Sequence, residues 1–197
     1  LLSTGCTLAV MPKLPESKCI FFAYAHGVSL SKKYPLSGGW LFNLHVDSRV
    51  YGYGLVKAMR DVYPEVKSLA YIGPDYSYGW EIFDGVKGAV EKLGWDVDLK
   101  DPIYVALGTR EYGPTITQLL GMDVDGVIAG IYGDDLVTFI RQAKPYEFFK
   151  EIRFAATLTG GEIEALKEET PEGMLTMEVG LNCLYPDTPE MKELNER

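Results

Sequence analysis

The chain has 197 residues, enough for one large domain or two small ones. Hydrophobic residues make up 47% and charged residues 24%, values ordinary for a globular fold. The net charge of −9 argues against nucleic acid or an anionic membrane as partner, because phosphate binding needs a basic footprint; no apolar run is long enough to span a bilayer.

The segment LLSTG (1–5) reads as the end of a strand and its turn. Around Gly5, the stretch STGCT (3–7) offers small hydroxyl-bearing residues that let a ligand approach main-chain N–H groups, or an ordinary turn. CIFFAYA (19–25) predicts a strand, and SLSKKYPLSGG (29–39), rich in turn formers, predicts a surface loop. From about residue 41 a rhythm sets in. WLFNLHV (40–46) is a strand, and Asp47 or Ser48 caps the helix after it. Leu55, Ala58, Met59 and Val62 share one helical face, and Pro64 ends that helix.

SLAYIG (68–73) is the next strand. The helix over 79–93 is the clearest of all: Ile82, Phe83, Val86, Val90 and Leu93 form one apolar stripe, Trp80 lies off it, and Gly94 terminates it. DPIYVAL (101–107) predicts a strand and the residues after Pro114 a short helix. DGVIAGIY (125–132) is apolar almost throughout, as a strand buried on both faces must be. A helix then runs to about Ala143. RFAATLT (153–159), a short helix near 161–168 and MLTMEVG (174–180) complete the series, and 187–197 reads as the opening turns of a further helix. The abrupt ends suggest an internal piece of a longer chain.

Strand and helix alternate every 25 to 35 residues or so, the length of a βαβ unit. The expected fold class is therefore α/β: a Rossmann-like, mostly parallel sheet with helices on both faces. Ligands in such folds bind outside the carboxyl ends of the strands, where the turns at 73–78, 108–114, 132–134 and 159–161 all fall.

Few catalytic signatures accompany this fold. The sequence has no GxGxxG, no GxxxxGK[ST] and no GxSxG. Cys6, Cys19 and Cys183 form no metal-ligand spacing with His26 and His45. A Cys6–Cys19 bridge fits the count, as do buried free thiols. His45 reads as structural or hinge-adjacent. Neither metal nor cofactor is expected. Tyr76, Tyr78 and Trp80 can stack on a small ligand at a strand's carboxyl edge, or pack against the sheet. Tyr132 has the same placement one strand on, and Asp134 and Asp135 satisfy the helix start behind it.

STGCT (3–7), YIGPDYSYGWEIFDGVKGAVEKLGWDV (71–97), DGVIAGIYGDDLVTFIRQA (125–143) and PEGMLTMEVG (171–180) stand in an order and spacing that resembles the type I periplasmic binding proteins. The resemblance is to the amino-acid and amide group of these ABC-transporter solute receptors, typified by the leucine/isoleucine/valine-binding proteins. It implies two Rossmann-like lobes. Residues 44–179 would form one nearly complete lobe, residues 1–43 part of the other, and 180–197 the crossover back, with hinges near 42–44 and 178–181.

The resemblance also implies site residues. Gly5 and Thr7, with Cys6 between them, match a loop that holds the ligand carboxylate. Tyr78 matches a tyrosine reaching the ligand from the opposite lobe, and Tyr132 one that helps bind its ammonium group. Thr157 and Thr159 stand where an acid pairing with that ammonium is expected; Thr159 is taken as the ligand contact, and Glu162 falls slightly late. A buried ammonium without a carboxylate is costly, so a carboxylic acid, amide or aromatic compound fits as well as an amino acid. The expected function is an extracytoplasmic receptor, not an enzyme, that closes on a small polar solute and delivers it to an ABC permease. The alternatives are a sensory or regulatory module of the same fold and, further off, a small-molecule enzyme.

Overall fold

A computed structural model of the chain describes residues 4–25, 27–158 and 160–177. Two parallel sheets organise them. The first 43 residues supply helices α1 (Thr4–Val10) and α2 (Leu14–Ser17), strand β1 (Phe21–Ala23), helix α3 (Val28–Lys33) and strand β2 (Leu41–Asn43). β1 and β2 pair in parallel, Phe21 opposite Leu41. Met11, Leu14, Ala23, Ala25, Leu30 and Leu41 form the small core beneath them.

The expected surface loop over 29–39 is instead helical: α3 is followed by a 3₁₀ turn over Tyr34–Ser37. Burial of Leu30 in the small core outweighs the turn preference of its serine and glycine neighbours. The strand end expected at LLSTG is likewise replaced, from Thr4 onward, by α1. Hydroxyl side chains favour helix starts as well as turns, so the composition of that stretch did not separate the two. Cys6 and Cys19 are neither bridged nor buried; both thiols are free and exposed. Cys183 lies outside the described residues.

The second sheet begins after α4 (Ser48–Val62), whose Asp47 cap accepts the Arg49 N–H at 2.9 Å. Its strands are β3 (Ser68–Pro74), β4 (Asp98–Leu99), β5 (Ile103–Val105), β6 (Gly126–Ala129), β7 (Arg153–Thr157) and β8 (Leu175–Met177). Their connecting helices are α5 (Ser77–Lys92), α6 (Gly113–Gly121), α7 (Asp134–Ala143), α8 (Phe148–Glu151) and α9 (Gly160–Leu166). The sheet runs β4-β3-β6-β7-β8, with β5 also on β3, and every pairing is parallel.

The side-chain alternation of each strand sorts two cores. Ala70, Ile72, Val127, Ala129, Phe154 and Ala156 face a core shared with α6, α7 and α8. Leu69, Tyr71, Ile128 and Ala155 face the core of α4 and α5. Those two helices pack so closely that a Cβ at Gly52 would lie 2.2 Å from the Ile82 carbonyl oxygen. Helices on both faces leave the carboxyl ends of β3, β5, β6 and β7 along one edge of the sheet.

Candidate functional site

That edge is aromatic. Gly73 and Pro74 close β3, and the Asp75 N–H then donates to the Val105 carbonyl at 2.8 Å, turning the chain off the sheet. Gly79 opens the way for α5: a Cβ there would lie 2.1 Å from the Pro74 carbonyl oxygen. From beneath, the buried Tyr71 hydroxyl donates to the Gly79 carbonyl at 2.8 Å. These contacts fix the first turn of α5, and with it Tyr78.

Tyr132 arrives from β6. The ladder ends at Ala129, earlier than the sequence suggested, and Gly130 continues the pairing with one hydrogen bond to the Ile72 carbonyl at 2.7 Å. The Tyr132 hydroxyl meets that of Tyr76 at 2.8 Å. Its ring stands edge-on to Tyr78 with centroids 5.3 Å apart, and Tyr78 stacks on Tyr76 at 6.0 Å. Three phenols from two strand ends thus form one cluster. Tyr132 keeps 36% of its surface exposed, so the cluster presents a face to solvent. Burial, reinforced by the hydrogen bond with Tyr132, pushes the Tyr76 phenol well above its ordinary pKa and keeps it neutral. Trp80 stands beside the cluster, half-exposed, its Nε1 donating to Asp75 at 3.1 Å.

Behind Tyr132, Gly133 adopts φ 61° and ψ −140°, a conformation open essentially to glycine alone. Its N–H donates to Glu162 Oε1 at 2.6 Å. Glu162, which sequence spacing placed slightly late, is therefore held next to Tyr132 from the first turn of α9, almost fully buried. A cavity of about 270 Å³ opens between α7 and α9, with Asp134 and Glu162 among its lining residues and Val137 and Ala165 as its apolar wall. Asp135 stands in the first turn of α7, and its carboxylate also accepts the Gly108 N–H at 2.9 Å, which ties down the β5–α6 loop. Thr157 ends β7 with a buried hydroxyl that has no hydrogen-bond partner among the described residues. Thr159 lies outside the described residues.

Residues 4–7 of the STGCT segment lie in the smaller unit. Gly5 and Cys6 are exposed and Thr7 is buried. Thr4 Oγ1 accepts the Gly27 N–H at 3.0 Å, and the next amide, Val28, donates to Glu81 of α5 at 3.0 Å. Two hydrogen bonds thus carry the chain from α1 to the helix of Tyr78. His45 sits where the units join: its Nε2 is 3.3 Å from the Tyr51 hydroxyl, and Tyr24 packs edge-on against its ring. Spacing alone pointed to neither Glu81 nor the Tyr76–Tyr132 pair.

A parallel α/β sheet of this kind binds ligands outside the carboxyl ends of its strands, the edge at which the tyrosine cluster stands. A profile of the periplasmic binding protein family matches residues 1–197, and the chain belongs to that family. Among solved structures it is similar to an amino acid ABC transporter substrate-binding protein from Pseudomonas fluorescens Pf-5. The TM-score is 0.82 at 17% identity, over 100% of this chain and 52% of that one. It is similar, at TM-score 0.79 and 18% identity over 100% and 52%, to an ABC transporter solute-binding protein from Rhodopseudomonas palustris HaA2 in complex with p-hydroxybenzoic acid. An R. palustris solute-binding protein in complex with benzoate gives 0.77 and 17% over 98% and 51%. The chain spans about half the length of these structures, and at such identities the likeness shows the fold alone. No match is found among the curated proteins.

Proposed function

We propose that the chain is the ligand-closing part of an extracytoplasmic solute receptor serving an ABC permease, without enzymatic activity of its own. Residues 1–43 belong to one lobe, 44–179 to the other, and 180–197 to the crossover between them. Gly5, Cys6, Thr7, Tyr78, Tyr132 and Thr159 are the proposed ligand contacts, joined by Tyr76. The solute is a small carboxylic acid with a flat ring. The tyrosine cluster carries this reading: three phenols offer stacking faces and hydroxyls at one strand edge, which suits an aromatic acid. The two solved structures in complex with benzoates support the same choice.

An α-amino acid is the second reading, and Glu162 favours it. Its carboxylate, fixed beside Tyr132, supplies a partner for an ammonium group that spacing had not provided. Calorimetry on the full-length protein separates the two, with 4-hydroxybenzoate, benzoate and leucine as ligands. We expect a benzoate to bind and Tyr132→Ala to weaken it up to about tenfold, the loss of one aromatic contact. Leucine binding that collapses in Glu162→Gln selects the second reading. If none of the three binds, or if Tyr132→Ala and Thr7→Ala both leave affinity unchanged, the site assignment is wrong.

A further inference from the structure

Glu81 stands one helical turn after Tyr78 on α5, on the same face of that helix. A single carboxylate oxygen, Oε2, accepts from two elements at once. On one side it takes the Ser48 hydroxyl at 3.2 Å, from the buried first residue of α4. On the other it takes the Val28 N–H at 3.0 Å, from the first residue of α3. Ser48 and Glu81 belong to the large sheet unit; Val28 belongs to the small one. The amide before it, Gly27, is fixed by Thr4 within the small unit, so Val28 is presented on a set frame.

We propose that Glu81 is an interlobe latch, which biases the cleft toward closure before any solute enters. The inference rests on the reading of residues 1–43 and 44–179 as separate lobes. Parting the lobes must break the Glu81–Val28 bond, because its donor and acceptor move apart with them. Ser48 keeps the carboxylate aimed at Val28, so the bond re-forms without a rotamer search. A receptor whose competent state is better populated binds more tightly, in proportion to that population. The latch therefore sets affinity and residence time without touching the solute. It also holds the first turn of α5, so Tyr78 meets an arriving solute already in place.

The test uses the ligand-free full-length protein, with Glu81→Ala and Glu81→Gln as variants and circular dichroism to confirm folding. Amide exchange of the 27–33 segment and small-angle scattering are read on each. A charge-assisted hydrogen bond predicts exchange at Val28 at least about tenfold faster in Glu81→Ala, together with a larger radius of gyration. Glu81→Gln keeps an acceptor oxygen without the charge and falls between; it also carries the test if the alanine variant does not fold. A role confined to α5 itself would leave Val28 untouched. Unchanged Val28 exchange, or superimposable scattering curves, overturns the latch. Neither readout needs a ligand, so the latch and the receptor reading fail separately. Solute binding with no effect of Glu81→Ala removes only the latch, and an opened variant that binds none of the solutes tried removes only the receptor assignment.

Discussion

Tyr71 and Gly130 make a pair whose energies are predicted not to add. The Tyr71 ring is fully buried, and its hydroxyl donates to the Gly79 carbonyl at 2.8 Å. A Cβ at Gly130 would lie 2.2 Å from that same oxygen. Gly130→Ala alone therefore drives the phenol from its place, an overpacking cost of about 1–3 kcal/mol. Tyr71→Phe alone forfeits one buried hydrogen bond, roughly 1 kcal/mol. In the double variant the oxygen is gone, and the nearest ring atom to the new methyl is Cζ at 3.0 Å. A shift of a few tenths of an ångström then seats it. The double variant is expected to lose about 1 kcal/mol less than the sum of the singles, a coupling well outside the ~0.3–0.5 kcal/mol scatter of independent sites. Urea denaturation followed by circular dichroism on the three variants and the parent measures it. Additive losses would refute the placement of the phenol between β3 and β6, and with it the account of how Tyr78 is held.

Two further outcomes follow from the same edge and the opposite one. Gly133→Ala forces an ordinary residue into φ 61° and ψ −140° with nothing within 4 Å to clash. The loss is backbone strain alone, about 1–3 kcal/mol, seen as a melting temperature lower by about 2–4 °C per kcal/mol; an unchanged melting point would contradict the conformation. At the other end of β3, the Lys67 N–H, helped by Ser68, holds the Asp125 carboxyl below the usual carboxylate range. A lowered carboxylate stabilises above its unfolded value and loses that contribution as pH falls, so the effect fades below about pH 4. Asp125→Asn should shallow the acid limb of the stability profile relative to the parent, and identical limbs would discount the contact.

The larger sheet was legible because periodicity and burial agree there. Gly126–Ala129 is buried at every position, as an apolar run flanked by helices demands, and Ile82, Phe83 and Val86 all point into the core. Strand ends were less legible: the apolar run over 125–132 outlasts its ladder, since Gly130 adds one further bond to the Ile72 carbonyl and Ile131 and Tyr132 are then kept inward or at the edge by packing. The segment 29–39 misled, because helix α3 is decided by Leu30 meeting Met11 and Leu41 across a core too small to leave a stripe. The site divides likewise. Tyr78 was visible as a tyrosine opening a helix and Tyr132 as one ending a strand, but their meeting with Tyr76 depends on the parallel register of β3 and β6. Glu162 falls slightly late by spacing, and it reaches the Gly133 N–H because α9 begins at Gly160 and sets it in its first turn.

The parallel register has a cost in time. β3 is flanked by β6, so Leu69 waits for Gly126 before its ladder on that side can form. β6 waits in turn for Arg153. Until both arrive, a strand of seven residues, six of them buried in the finished fold, stays unpaired on one edge. Loop closure over such separations makes parallel sheets slow folders and exposes them to aggregation meanwhile. The apolar run that makes β3 easy to read is thus also a segment that a chaperone would shield until its partners arrive.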